Sequence, residues 1–182
     1  MIIAKIETMQ TGDATEMTDN IWFSGCSRHC PSCHNKNLWF KQGTYYTAEA
    51  LIEQLSGIRW VALMGGEPME QKETGDLIIK LKDAGKKVLL FSTYVPVNYP
   101  DHLHLHLLPD VKYLITNGLP FTVSVTIVID ELPMEKFIEM LGNVYEFIDL
   151  YIRSNDFDTM PYINEAEKFW RGKIYNNEKV KL

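Results

Sequence analysis

The cysteines of this chain, Cys26, Cys30 and Cys33, are three in number and fall within eight residues. They sit in the run Gly25-Cys26-Ser27-Arg28-His29-Cys30-Pro31-Ser32-Cys33-His34-Asn35, with the spacing C-x3-C-x2-C. An odd, tightly spaced set is not a disulfide framework; in a reducing compartment it points to metal or redox chemistry. Most iron–sulfur clusters are held by four thiolates. Three thiolates on one loop hold three irons of a four-iron cube and leave the fourth open to a small molecule. An organometallic catalyst needs that arrangement and an electron carrier does not. A structural zinc site with His34 or His29 as fourth ligand is the competing reading. Zinc sites usually pair two ligand knuckles, commonly a dozen or more residues apart, and this chain has no second group of cysteines. The cluster is the preferred reading.

A second motif, Gly65-Gly66-Glu67-Pro68, follows the apolar run Trp60 to Met64. Its glycines lack the Cβ atoms that would hold a ligand off the backbone, and Glu67 is placed to hold a positively charged amino group. Alone the motif is an ordinary tight turn; one strand after the cysteine loop it gains weight.

Both motifs need strands to carry them. Short runs rich in β-branched and aromatic residues predict strands over Ile2 to Thr8, Ile21 to Ser24, Trp60 to Met64, Lys87 to Phe91, Val111 to Ile115, Phe121 to Ile129 and Ile148 to Ile152. Helix patterns lie between several of them. Thr47 caps a helix to about Leu55, and Leu77, Ile78, Leu81 and Ala84 mark another with Gly85 as its C-terminal cap. Phe137, Leu141 and Val144 mark a third that starts near Pro133, and Asn164 with Glu167 has capping-box spacing before a short helix ending at Gly172. Strand–helix alternation favours a parallel sheet with right-handed crossovers. A closed eight-unit barrel typically takes about 250 residues, so 182 residues fit about six units. The expected fold is α/β, an incomplete (βα)6 barrel with a parallel sheet, in a single domain over 1–182; an open doubly wound sheet is the alternative. The cysteine loop, Gly65 to Glu67, Ser92 to Tyr94, Thr116 and Asn117, Asp130, and Ser154 to Asp156 each follow a predicted strand. They should gather at the C-terminal end of the sheet, where parallel α/β folds place their sites.

Composition narrows the function classes. Apolar residues at 46%, charged residues at 23% and a net charge of −6 describe an ordinary, mildly acidic globular chain without a basic stripe. A nucleic-acid partner is therefore not expected. No apolar stretch approaches the roughly 20 residues of a membrane span, and Met1 to Met9 alternates polar and apolar residues unlike a signal peptide. A cytoplasmic protein is expected.

With these residues in place, the chain resembles the radical S-adenosylmethionine superfamily. Cys26, Cys30 and Cys33 match its cluster ligands, and Gly65, Gly66 and Glu67 match the element that contacts the methionine amino group of S-adenosylmethionine. The resemblance implies a partial barrel of about six units and a 4Fe-4S cluster that reductively cleaves S-adenosylmethionine to a 5′-deoxyadenosyl radical. It places Ser32 and His34 near the adenine and Ser92 at the ribose. Phe23-Ser24-Gly25-Cys26, Cys33-His34-Asn35 and Trp39 narrow the likeness to the glycyl-radical-enzyme activases, most of all those of anaerobic ribonucleoside-triphosphate reductase. Weaker echoes are Phe91-Ser92-Thr93-Tyr94, Tyr113 to Gly118 and Trp170-Arg171-Gly172 with Asn176. The implied partners are the reductase large subunit and a low-potential electron donor such as flavodoxin or ferredoxin. The likeness is specific from about Ile21 to Tyr94. The segment Phe121 to Ile163 matches no part of such an activase, and Thr11-Gly12-Asp13-Ala14-Thr15 stands where a Gly-Pro-Gly turn and an arginine are usual. Two alternatives stand beside the activase: radical chemistry on a small molecule, as in 7-carboxy-7-deazaguanine synthase, and a zinc-stabilised, non-catalytic module. His102, His104 and His106 alternate with Leu103 and Leu105, and are expected to form a solvated face over a leucine core rather than a metal site. Met64 and Met69 read as packing residues.

Overall fold

A computed structural model describes the chain except for Asp13, Leu114, Glu131, Asp156, Glu178, Lys179 and Leu182. Its centre is one sheet of nine strands: β1 (Ile2–Gln10), β2 (Thr18–Phe23), β3 (Thr44–Tyr45), β4 (Trp60–Gly65), β5 (Lys87–Ser92), β6 (His102–Leu107), β7 (Thr122–Val128), β8 (Asp149–Arg153) and β9 (Ile174–Asn176). The order is β3-β1-β2-β4-β5-β6-β7-β8-β9. From β2 to β9 every neighbouring pair is parallel, whereas β1 runs antiparallel to both β2 and β3. The two ends of the order do not meet, so the architecture is the mostly parallel, incomplete barrel expected from the sequence.

Helices α1 (Ala48–Glu53), α2 (Thr74–Asp83), α3 (Met134–Leu141) and α4 (Met160–Ala166) occupy four of the crossovers. Thr47 Oγ1 accepts the Ala50 N–H at 3.3 Å, Gly85 takes φ +75° past the end of α2, and Pro133 precedes the first turn of α3. The fourth helix departs from expectation: it starts after Thr159, with Pro161 in its first turn. Asn164 therefore lies inside it, and the capping-box spacing was coincidental.

The alternation of each strand divides the sheet into two faces. Val61, Leu63, Val88, Leu90, Leu103, Leu105, Val125, Ile127, Leu150 and Ile152 pack under the helices in the main core. The opposite, inner face carries Trp60, Ala62, Met64, Leu89 and Tyr151, with Trp22, Phe91 and Tyr175 against them. A short parallel bridge from Ala14, in the β1–β2 connection, to Val180 adds both residues to this inner cluster.

Two expectations fail together. Val111 to Ile115 does not form the predicted strand; Ile115 makes only an isolated bridge to Val144, and Leu114 lies outside the described residues. The sheet position belongs to His102–Leu107 instead. Leu103, Leu105 and Leu107 fill the helix side, and the histidines face inward. They are not a solvated face: His102 is 8% exposed and His104 0%. The physical reason is on the next strand, where Thr122, Ser124 and Thr126 offer hydroxyls to the imidazoles. The segment without an activase counterpart, 121–163, supplies β7, α3, β8 and most of α4, and so completes the sheet.

Candidate active site

The cysteine loop leaves β2 at its C-terminal end and is held at both margins by backbone bonds. Gly25 N–H donates to Leu38 O at 2.7 Å and Cys26 N–H to Trp39 O at 3.0 Å. Within the loop Cys33 N–H donates to Cys30 O at 3.0 Å, and Asn35 N–H donates to Cys33 Sγ at 3.3 Å. His29, in the left-handed region with φ 47°, stacks on Trp39 at 4.7 Å. It is thereby occupied as a ring rather than presented as a ligand. All three thiols are half-buried. Burial pushes the Cys26 thiol above its ordinary range, with Glu70 and Glu67 adding to it, and burial with the neighbouring Cys33 does the same to Cys30. A cationic group would reverse both effects. Among the described residues no three His, Cys, Asp or Glu side chains gather around one point, as a single tetrahedral ion requires. Three thiolates that each bind a different corner of a cube need not do so. The donor set and the N–H bond onto Cys33 Sγ fit a cluster.

The glycine loop leaves β4 beside it, and the two loops are locked backbone to backbone. Gly66 N–H donates to Phe23 O at 2.8 Å and Glu67 N–H to Gly25 O at 2.9 Å. A Cβ on Gly65, which has φ +110°, would stand 2.6 Å from Phe23 O, and one on Gly66 would stand 2.3 Å from Gly25 O. The close approach that these glycines permit is thus first to the cysteine loop itself.

Glu67 is 2% exposed. Its Oε1 accepts the Met69 N–H at 3.0 Å and the Ser92 hydroxyl at 2.7 Å, while Oε2 accepts the Thr93 N–H at 2.8 Å and its hydroxyl at 2.7 Å. Burial raises the carboxyl above its ordinary range and these donors pull it down. Two backbone N–H groups aimed at the two oxygens fit the carboxylate form. In this conformation Glu67 ties the end of β4 to the end of β5. Ser92 is buried under it, and its hydroxyl also accepts the Tyr94 N–H at 2.9 Å. Ser32 is half-buried and His34 exposed on the cysteine loop.

Several residues escaped the sequence reading. Glu70 accepts both the Ser27 N–H, at 2.9 Å, and its hydroxyl, at 2.6 Å. Gln71 Nε2 donates to Ile2 O and Ser24 O. Arg28 lays its guanidinium 4.3 Å from the Tyr94 ring centre, with Nε buried and without a partner among the described residues. Tyr113 donates toward Thr93 O and His106 O. A cation between two cysteines and an aromatic two residues after Ser92 were the available signals for the Arg28–Tyr94 pair. Asp130 accepts from Ser154 and Asn155 at the same end of the sheet, and Asp156 lies outside the described residues. Thr116 and Asn117 are not there. They line a cleft with Tyr145, Phe147 and Asp149 at the N-terminal end, because the strand expected before them does not form.

Comparison with known proteins shows the family. A family model described as a 4Fe-4S single cluster domain matches residues 12–118, more than half of the chain. The chain belongs to this family. It is a radical S-adenosylmethionine family member with one 4Fe-4S cluster, and the zinc module is set aside. 7-Carboxy-7-deazaguanine synthase of Rhodopirellula baltica is 37% identical over 70 residues, which cover 37% of this chain and 27% of that protein. The chain thus matches only about a quarter of that relative's length. Among the described residues no helix is long and apolar enough to cross a membrane.

Proposed function

We propose that this protein turns the radical chemistry of its family on a small molecule held against the inner face of the sheet. The observation that carries this reading is the lining of that face below the cysteine loop. His106 and Phe91 are partly exposed there, with Thr126 and Tyr151 buried beside them. Mostly apolar walls with a few placed polar groups suit a small substrate. The similarity to 7-carboxy-7-deazaguanine synthase supports the same class, and β7 to β9 serve to extend this wall.

When bound, the cluster supplies the electron that cleaves S-adenosylmethionine. The chain's own residues bind and position. Cys26, Cys30 and Cys33 would hold three irons of the cluster. Gly65 and Gly66 bring the β4 loop against the cysteine loop, and Glu67 fixes that loop to Ser92 and Thr93, which would give the cofactor's amino acid end a rigid edge to bind. Arg28 over Tyr94 closes the side toward β5.

A second reading, activation of a glycyl-radical enzyme such as anaerobic ribonucleotide reductase with flavodoxin or ferredoxin as donor, rests on Cys33-His34-Asn35 and Trp39. One experiment separates the two. Anaerobically reconstituted protein is reduced with S-adenosylmethionine, and 5′-deoxyadenosine is followed with deuterated nitrogen heterocycles or with the reductase large subunit. Deuterium in 5′-deoxyadenosine with a heterocycle supports the first reading. A glycyl radical signal on the large subunit, and no turnover of heterocycles, supports the second.

A further inference from the structure

The inner face holds a continuous hydrogen-bonded ladder that the binding of cluster and cofactor does not use. Thr122 Oγ1 lies 2.7 Å from His102 Nδ1, and His102 Nε2 lies 2.8 Å from Ser124 Oγ. Ser124 Oγ lies 2.7 Å from His104 Nδ1, and His104 Nε2 lies 2.6 Å from Thr126 Oγ1. Both nitrogens of two imidazoles are bridged by hydroxyls, so Ser124 must donate to one histidine and accept from the other. The lower end opens to water: Thr122 is exposed, and with His102 it lines the cleft at the N-terminal end of the sheet. The middle is closed, with His104 0%, Ser124 1% and Thr126 1% exposed. The upper end reaches the site. His106 stands opposite Thr126 on the same face, its ring is 5.4 Å from that of His104, and its Nε2 is buried without a partner among the described residues.

We propose that this ladder is a proton relay between the cleft and the substrate side of the inner face, with His106 as the group that exchanges the proton with substrate. The inference deepens the small-molecule reading and rests on it: the substrate must be one that gains or loses a proton as well as a hydrogen atom. Two arrangements of protons satisfy every bond. In one, each donor points up the ladder and the Thr126 proton is free to leave. In the other, each points down and the Thr122 proton is held by Asp101 O, at 3.1 Å. They interconvert when Thr126 gives its proton to His106 through one bridging water, since no direct bond joins the two, each group below passes one proton upward, and Thr122 takes one from water in the cleft. Each imidazole receives at Nδ1 and releases at Nε2, so no ring turns and no rung keeps a charge. The proton on His106 goes to the substrate; the reverse direction removes one from it. A polar network kept only for packing has no need of an exposed hydroxyl at one end and an unpartnered nitrogen at the other.

Hydrogen exchange in the reconstituted protein, with histidine labelled by nitrogen-15, tests the relay without turnover. The His104 ring N–H should exchange with water at least about a hundredfold faster than the Leu103 and Leu105 amides beside it, which reflect opening of the strand. Thr122→Val should slow the ring exchange about tenfold or more while leaving those amides unchanged, and Thr122→Ser should restore it. Ser124→Ala should act in the same way from the middle of the ladder. A ring N–H that exchanges with the Leu105 amide, and ignores Thr122→Val, would show a static ladder and overturn the relay. Because the readout involves no substrate, that result would leave the small-molecule reading standing.

Discussion

Acidification should unfold this protein through its buried histidines. Burial lowers His102 and His106 from 6.5 to about 4, the latter also through the charges of Arg153 and His34, and holds His104 well below 6.5. Each imidazole is neutral in the folded chain and protonates more readily when unfolded. The stability it contributes is therefore complete above pH 6.5 and is lost as the pH falls through 6.5 toward 4. For an unfolded value near 6.5 and a folded one near 4, moving from about pH 7.5 to 5.5 removes about 1.3 kcal/mol per histidine. His104 contributes the same as long as it stays neutral at the lower pH, so the three together are worth about 4 kcal/mol against a typical total of about 5–15. Anaerobic urea unfolding followed by tryptophan fluorescence at both pH values measures the loss. His102→Gln should shrink the pH-dependent part by about 1.3 kcal/mol, whatever it does to stability at neutral pH. A wild-type loss below about 1 kcal/mol would refute the reasoning, because it would mean that the imidazoles are hydrated or already charged in the folded chain.

Other substitutions probe the site. Cys30→Ala should abolish 5′-deoxyadenosine formation in anaerobic assays, since it removes one of three irons' ligands; normal product formation would sink the cluster assignment. Gly66→Ala would press a methyl to 2.3 Å from Gly25 O, and should cost about 3 kcal/mol and lower iron content together with melting temperature. Glu67→Gln with its amide nitrogen in place of Oε2, which accepts the Thr93 N–H and hydroxyl, should cost about 2 kcal/mol by urea unfolding and shift the Thr93 amide resonance. Tyr94→Leu should leave folding nearly unchanged but weaken S-adenosylmethionine binding by calorimetry, as Arg28 loses a contact worth about 1 kcal/mol.

The parts legible in the sequence were those governed by local pattern. β4 and β5 announce themselves as apolar runs, α2 by its leucine spacing with Gly85, and the cysteine loop by its spacing alone. What failed depended on neighbours remote in sequence. His102–Leu107 looks half polar until Thr122, Ser124 and Thr126 are set beside it. The alternation Thr-Val-Ser-Val-Thr in β7, complementary to His-Leu-His-Leu-His in β6, was the signal that pairs them. The donors that Thr93 and Met69 aim at Glu67 were likewise invisible in the sequence, because they meet it only when the loops fold. Val111 to Ile115 has strand composition, yet Tyr113 is drawn away to cap Thr93 and His106.

An open barrel keeps two free margins, and an uncovered strand margin invites other chains to pair with it. One margin here ends in β9, only three residues long. On the other, β3 covers only Ile2 and Ile3 of β1. The remainder of β1 changes register against β2 between Ile3 and Lys5 and again between Glu7 and Gln10, and it carries the paired charges of Lys5 and Glu7. Irregular spacing and charge make it a poor template for a foreign strand. The open sheet is thereby guarded against fibre growth along the margins it does not close.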